Sequence, residues 1–184
     1  MRIRTSAMAA GFALVALASS AAGEATGIVV RSEPAPGSDT PRVVMTATID
    51  APPEKVWAIV SDCAHYKERM PRIAASRLLA KAGSTYTCEV TVEMPFPLSN
   101  LTAVTEAVHT ESADRYVRRW KLLRGDYKVN DGSWEVRPAD ASRARSLVTY
   151  TVHAEPNTPV PGWVREKAQK KALPEMIERV AAEA

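Results

Sequence analysis

The stretch that most constrains this chain is its last long one, Pro161 to Ala182, which carries one wide apolar stripe. Val164, Ala168, Ala172, Met176 and Val180 recur every fourth residue, and Trp163, Leu173, Ile177 and Ala181 widen the band. Arg165, Glu166, Gln169, Lys170, Glu175, Glu178 and Arg179 fill the opposite face. The spacing predicts a long helix, and so broad an apolar face needs a matching surface to cover it. The segment from Pro41 to Pro156 supplies one, because it reads as short alternating strands. The expected class is α+β, a long C-terminal helix gripped by a curved antiparallel sheet. Pro174 interrupts that helix. It has no N–H for the Lys170 carbonyl, and the resulting kink costs ~3 kcal/mol if uncompensated. Either the helix bends there to follow the sheet, or the break lets one half move as a lid.

Residues 1–23 read as a targeting segment. Arg2 and Arg4 precede a short apolar run from Phe12 to Ala18, and small residues follow through Ala22 and Gly23. This is a secretory signal peptide pattern, and the run is too short to span a bilayer. Cleavage is expected between Ala21 and Ala25. No cysteine precedes Cys63, so a lipid-modified N-terminal cysteine is not expected. The mature chain, residues 24–184, is expected to be periplasmic or secreted, a single domain and a monomer. Removing residues 1–23 leaves 22 basic and 21 acidic residues, so the net charge falls from +3 to +1. Near neutrality and export both argue against a nucleic-acid partner. Cys63 and Cys88 could pair in such a compartment, and two separate buried thiols explain them as well.

In chain order, Thr26–Ser32 is a candidate extra strand and Glu33–Thr40 a Pro/Gly/Ser linker. Arg42–Asp50 alternates cleanly. Pro52 and Pro53 then open a short helix to about Val60 that buries Val56, Trp57 and Val60. Ser61-Asp62 is expected to cap a second short helix, Cys63–Met70, which ends at Pro71. Six strands follow at hairpin spacing: Ile73–Lys81, Thr85–Met94, Leu101–Thr110, Arg115–Arg124, Gly132–Pro138 and Ser146–Ala154. Turns are expected at Pro95–Pro97 and Gly125–Asp131, among others. That makes about seven strands, with the N-terminal candidate as an eighth.

The segment Ala47-Thr-Ile-Asp-Ala-Pro-Pro-Glu-Lys-Val-Trp-Ala-Ile-Val-Ser-Asp62, followed by Tyr66 and Met70-Pro71, resembles the opening of START-like domains of the Bet v 1-like, polyketide cyclase and coenzyme Q-binding type. Met94-Pro-Phe-Pro-Leu-Ser-Asn100 is similar to a segment of lipid-transfer START domains. Gly132-Ser-Trp134, Tyr150, Pro161 and Ala172-Leu-Pro174 also sit where such domains place them. The resemblance implies a helix-grip fold with an apolar cavity and a hydrophobic small-molecule ligand: a lipid, sterol-like molecule, quinone or polyketide. One departure bears on the ligand. Phospholipid-carrying START domains usually continue Arg-Asp after Ser-Asn, whereas this chain has Leu101-Thr102. A leucine cannot pair a phosphate as an arginine does, which weighs against a phospholipid headgroup.

Strand alternation gives the expected cavity wall. With Leu101 inward, Ala103, Thr105, Ala107 and His109 follow it. Tyr86, Val90 and Val92 line the neighbouring strand, beside Cys88 and Met94. Trp120, Leu122, Trp134, Val136, Val148, Tyr150 and Val152 extend the wall, and Ala168, Ala172 and Met176 face it from the helix. Small side chains in mid-strand leave room for a ligand, although the same residues could form a packed core. Arg118 shares the inward face of Tyr116 and Trp120. It either anchors the polar end of a ligand or escapes to water near the strand end.

Catalytic signatures are sparse. The sequence has no Gly-x-Ser-x-Gly, no phosphate-binding glycine loop and no His-x-x-x-His. Of the histidines, His65 is expected on a surface helix, His153 on an outward strand position and His109 near the cavity. No cofactor or metal is expected. The leading expectation is a non-enzymatic carrier that touches membranes transiently. The competing one is a polyketide cyclase or aromatase using His109, Tyr150 and Arg118 for proton transfer.

Overall fold

The computed structural model describes residues 23–184, so the expected signal peptide lies almost wholly outside the described residues. Eight strands form one antiparallel sheet in the order β1-β2-β8-β7-β6-β5-β4-β3. β1 (Ala25–Ala35) and β2 (Ser38–Ile49) make a hairpin at one edge. The chain then crosses through α1 (Pro53–Val60), a 3₁₀ turn (Cys63–His65) and α2 (Tyr66–Arg69) to the far edge. From there β3 (Ile73–Ala82), β4 (Thr85–Val92), β5 (Leu101–Ser112), β6 (Arg115–Gly125), β7 (Tyr127–Pro138) and β8 (Ser146–Pro156) meander back to β2. The C-terminal helix covers the inner face as α3 (Gly162–Lys167), a π-helical turn (Ala168–Ala172) and α4 (Leu173–Glu183). This is the helix-grip arrangement.

The core fills one end of the grip. Met45, Ala47 and Ile49 of β2, Val136 of β7 and Val148 of β8 meet Val56, Trp57 and Val60 of α1 and Ile177, Val180 and Ala181 of α4. All are buried, as their alternate or i, i+4 spacing requires. The π turn ends at Ala172, two residues before Pro174. A proline removes one i→i−4 bond, and a single wide turn takes up the missing bond and the bulk of its ring.

Several expectations need correction. The Glu33–Thr40 linker is instead the tip of the β1–β2 hairpin, with Gly37 at φ +78 following Pro36. Pro34 is tolerated because β1 is an edge strand and the register shifts between Glu33 and Ala35. Asp62 does not cap the segment after it; its carboxylate instead takes the Nδ1 of His65 at 2.7 Å and Nη1 of Arg69 at 3.1 Å. The expected helix from Cys63 to Met70 is split into the 3₁₀ turn and α2. The Gly125–Asp131 turn shrinks to Asp126 alone, because β7 begins at Tyr127. Asp126 is fixed against β5, its N–H donating to the Thr102 carbonyl at 2.8 Å and its Oδ2 accepting from the Thr102 N–H at 2.7 Å. Gly125, at φ +141, sits so close to Thr102 and Ala103 that a β-carbon would collide with their backbone. Cys63 and Cys88 form a disulfide, which resolves the alternative left open by the sequence.

Candidate functional site

Beyond the core, a cavity of about 340 Å³ opens between the sheet and the helix. Its sheet wall comes from Val90 and Val92 of β4, Ala103 and Thr105 of β5, Arg118 and Trp120 of β6, Tyr127, Asn130 and Trp134 of β7, and Tyr150, Val152 and Ala154 of β8. Ala168 and Ala172 of the π turn and Leu173 and Met176 of α4 face them. Tyr66, Met70, Pro71, Arg72 and Ile73 close the side at α2. The lining is mostly apolar with a few polar groups, the composition suited to a greasy ligand with a polar end.

Gly132 shapes one wall. It pairs with Trp120 across β6 and β7, and a β-carbon there would lie 2.5 Å from the indole Cζ2. The bare backbone lets the Trp120 ring lie flat on β7, where Nε1 donates to Asn130 Oδ1 at 3.0 Å. Tyr150 fits between the tryptophans, stacked on Trp120 at 5.9 Å and tilted against Trp134 at 4.5 Å. Burial pushes the Tyr127 phenol up to about 12 and drives the Tyr150 phenol above its ordinary range.

Eleven of the residues expected at the site line this cavity: Val90, Val92, Ala103, Thr105, Arg118, Trp120, Trp134, Tyr150, Ala168, Ala172 and Met176. Four do not. Leu101 packs in a small cluster with Ala103 and Tyr127, so its identity says little about the head group inside the cavity. Ala107 is fully buried, and its cross-strand partners Tyr86 and Trp120 close over it. Tyr86 and His109 line a second cavity, of about 300 Å³, with Ser61, Asp62, Cys63, Ala64, Leu78, Lys81 and Glu111. There the two rings stack at 4.0 Å, and Trp57 meets His109 edge-on at 5.1 Å. Tyr127 and Asn130, in the segment expected as a turn, and Arg72 and Ile73 beyond α2 also line the cavity although the sequence pattern does not mark them. The i, i+4 pair Tyr66 and Met70 carried a signal for the α2 side.

Arg118 is 3% exposed. Its Nη1 donates to the Ser61 carbonyl at 3.3 Å and to His109 Nε2 at 2.6 Å, and its Nη2 lies 3.2 Å from Cys88 Sγ. Burial, then the Arg118 and Lys81 charges, lower the His109 pKa to about 4. His153 does point away from the cavity, yet it is buried, with Nε2 3.2 Å from Ser38 Oγ. Of the six basic residues from Arg115 to Lys128, three are in ion pairs: Arg115 with Glu135, Lys121 with Glu106 and Lys128 with Glu155. Among the described residues no cluster could hold a metal, and no helix is long and apolar enough to cross a membrane.

The sheet, the covering helix and the apolar cavity are those of a known family. The model of the polyketide cyclase / dehydrase and lipid transport family matches residues 49–181. The chain belongs to that family. No curated protein matches its sequence. Among solved structures, a STAR-related lipid transfer protein from Xanthomonas axonopodis is 22% identical with a TM-score of 0.71, covering 85% of this chain and 92% of its own. Human StAR-related lipid transfer protein 5 gives a TM-score of 0.72 at 9% identity, covering 90% and 88%. The Zhui aromatase/cyclase of a Streptomyces strain gives 0.55 at 17%, covering 77% and 87%. At these identities the likeness is one of fold. The family member described here thus has the START-like hydrophobic-ligand fold, whose neighbours include both lipid-transfer proteins and a cyclase.

Proposed function

We propose that this protein is an exported, monomeric carrier that holds one hydrophobic small molecule between its sheet and its C-terminal helix. The observation that carries the reading is the 340 Å³ cavity, whose wall is aliphatic and aromatic apart from a few polar groups. The cyclase reading needs proton-transfer groups facing the same space. His109 faces the other cavity with Nε2 engaged by Arg118, and the Tyr150 phenol is held protonated by burial, so the carrier is favoured. Export is supported by the signal-peptide pattern of residues 1–23 and suits the Cys63–Cys88 disulfide, which persists in oxidising compartments. Residues 24–184 are then the ligand-binding domain. Transient membrane contact is supported by Phe96, which stands 95% exposed in the loop between β4 and β5, and by the half-exposed Trp163 on α3.

The test is to extract the protein purified from its exported fraction with organic solvent and identify the released molecule by mass spectrometry. A stoichiometric apolar compound supports the reading. An empty protein that also fails to bind apolar fluorescent probes overturns it.

A further inference from the structure

We infer that the ligand is an amphiphile with a terminal carboxylate, bound with its head on the guanidinium of Arg118. The inference rests on the carrier reading and adds the class of the head group. Arg118 lines the large cavity and is buried. A guanidinium stays charged at any physiological pH, and a buried charge without a counter-charge is costly. Its hydrogen-bond partners among the described residues are all neutral, the Ser61 carbonyl, His109 Nε2 and Cys88 Sγ, and so is the Tyr66 ring that its guanidinium faces at 5.9 Å. His109 cannot answer the charge, because it accepts from Arg118 as a neutral imidazole.

The donors point to the missing partner. Of the five N–H groups of a guanidinium, Nη1 spends both of its own on Ser61 and His109, and Nη2 spends one on the weak acceptor Cys88 Sγ. The Nε–H and the second Nη2–H have no acceptor among the described residues. A carboxylate takes two such donors in parallel. Its single charge also matches the single charge of Arg118, whereas a phosphate monoester brings nearly two at neutral pH and leaves the excess buried. Two further donors line the same cavity, the hydroxyls of Tyr127 and Tyr150, and neither hydrogen-bonds to a described residue. Val90, Val92, Ala168 and Met176 are left for the apolar chain.

The test compares three probes on the mature protein at pH 7.5: a fluorescent conjugated-polyene C18 fatty acid, its methyl ester, and octadecyl phosphate as competitor. The acid should bind about tenfold or more tighter than the ester, and tighter than the phosphate. Arg118→Met should remove the preference by weakening the acid alone, and Arg118→Lys should restore part of it. Equal affinity for acid and ester in the unmutated protein overturns the inference while leaving the carrier intact. So does an unchanged ratio in a folded Arg118→Met, and so does tighter binding of the phosphate. Binding of none of the probes overturns the carrier reading and the inference with it. Where Arg118→Met does not fold, the ratio of acid to ester affinity in the unmutated protein still decides between these outcomes.

Discussion

Arg118 donates to His109 Nε2 across 2.6 Å, with both side chains buried. An acceptor nitrogen cannot carry a proton, so the imidazole is neutral and its hydrogen sits on Nδ1. The contact makes stability depend on pH. The folded His109 protonates at about 4, against an ordinary value of 6.5. As pH falls below about 6.5 the unfolded chain takes up a proton that the folded one refuses. Stability is therefore complete above pH 6.5 and is lost progressively between 6.5 and about 4. Burial, Arg118 and Lys81 drive this shift, while Asp62 and Glu111 on the same small cavity carry the opposing charge. Urea unfolding at pH 7.5 and 4.5 should show the wild type losing about 2 kcal/mol more than His109→Gln between the two. Equal losses would mean that His109 titrates normally in the fold.

The disulfide ties the 3₁₀ turn after α1 to β4 across a sequence separation of 25. Closing a loop of that length restricts the unfolded chain by about 3 kcal/mol. The double variant Cys63→Ala with Cys88→Ala should lower unfolding stability by that amount, and reduction of the native protein should lower it similarly. Cys88 Sγ also contacts Arg118, so the double variant should in addition weaken carboxylate binding. A protein whose stability ignores dithiothreitol would remove the bridge from its energetics.

Ala103 and Ala107 share one face of β5, yet only Ala103 lines the cavity. Ala103→Trp should project into free space and abolish binding of an apolar probe, with stability nearly unchanged. Ala107→Trp meets Tyr86 and Trp120 and should destabilise by about 1–3 kcal/mol through overpacking. Probe titration together with thermal unfolding separates the two outcomes. If both variants behaved alike, the boundary between packed core and open cavity would lie elsewhere.

That contrast also marks what the residue pattern conveys. Period-two alternation on β5 puts Leu101, Ala103, Thr105, Ala107 and His109 on one face, and all five are buried. Alternation assigns a face but not a neighbour. Whether an inward alanine meets space or a ring depends on the partners that register brings opposite it, and these are far away in sequence. Tyr127 and Asn130 are hidden for another reason: Gly125, Asp126 and Asp131 are turn residues by chemistry, and only the anchoring of Asp126 to Thr102 shows how short the turn is. The helix and its break are legible, since a proline in an apolar 3.6-residue repeat leaves few options. The wide turn that absorbs it is not, because a bend and a π turn satisfy the same pattern.

Pro174 and Glu175 bear on how the ligand leaves. A wall of paired strands opens less readily than a helix with a wide turn in it, and the π turn lies over the cavity through Ala168 and Ala172. α4 is clasped to the opposite rim by Arg72, whose Nη2 lies 3.1 Å from Glu175 Oε2. Arg72 holds a left-handed φ of 60 beside the cavity, unusual for a residue with a side chain. Pro174→Ala supplies the missing N–H, favours a regular helix over the π turn and should slow release of a bound probe severalfold, with equilibrium affinity less affected. Glu175→Gln should act in the opposite sense. A half-exposed ion pair contributes at most about 1 kcal/mol, so release should quicken by up to about fivefold. Stopped-flow release of the fluorescent acid, with hydrogen exchange along Val164 to Val180, measures both. Unchanged release in the two variants, with uniformly slow exchange along the helix, would leave the π turn as an accommodation of the proline and place the exit elsewhere on the rim.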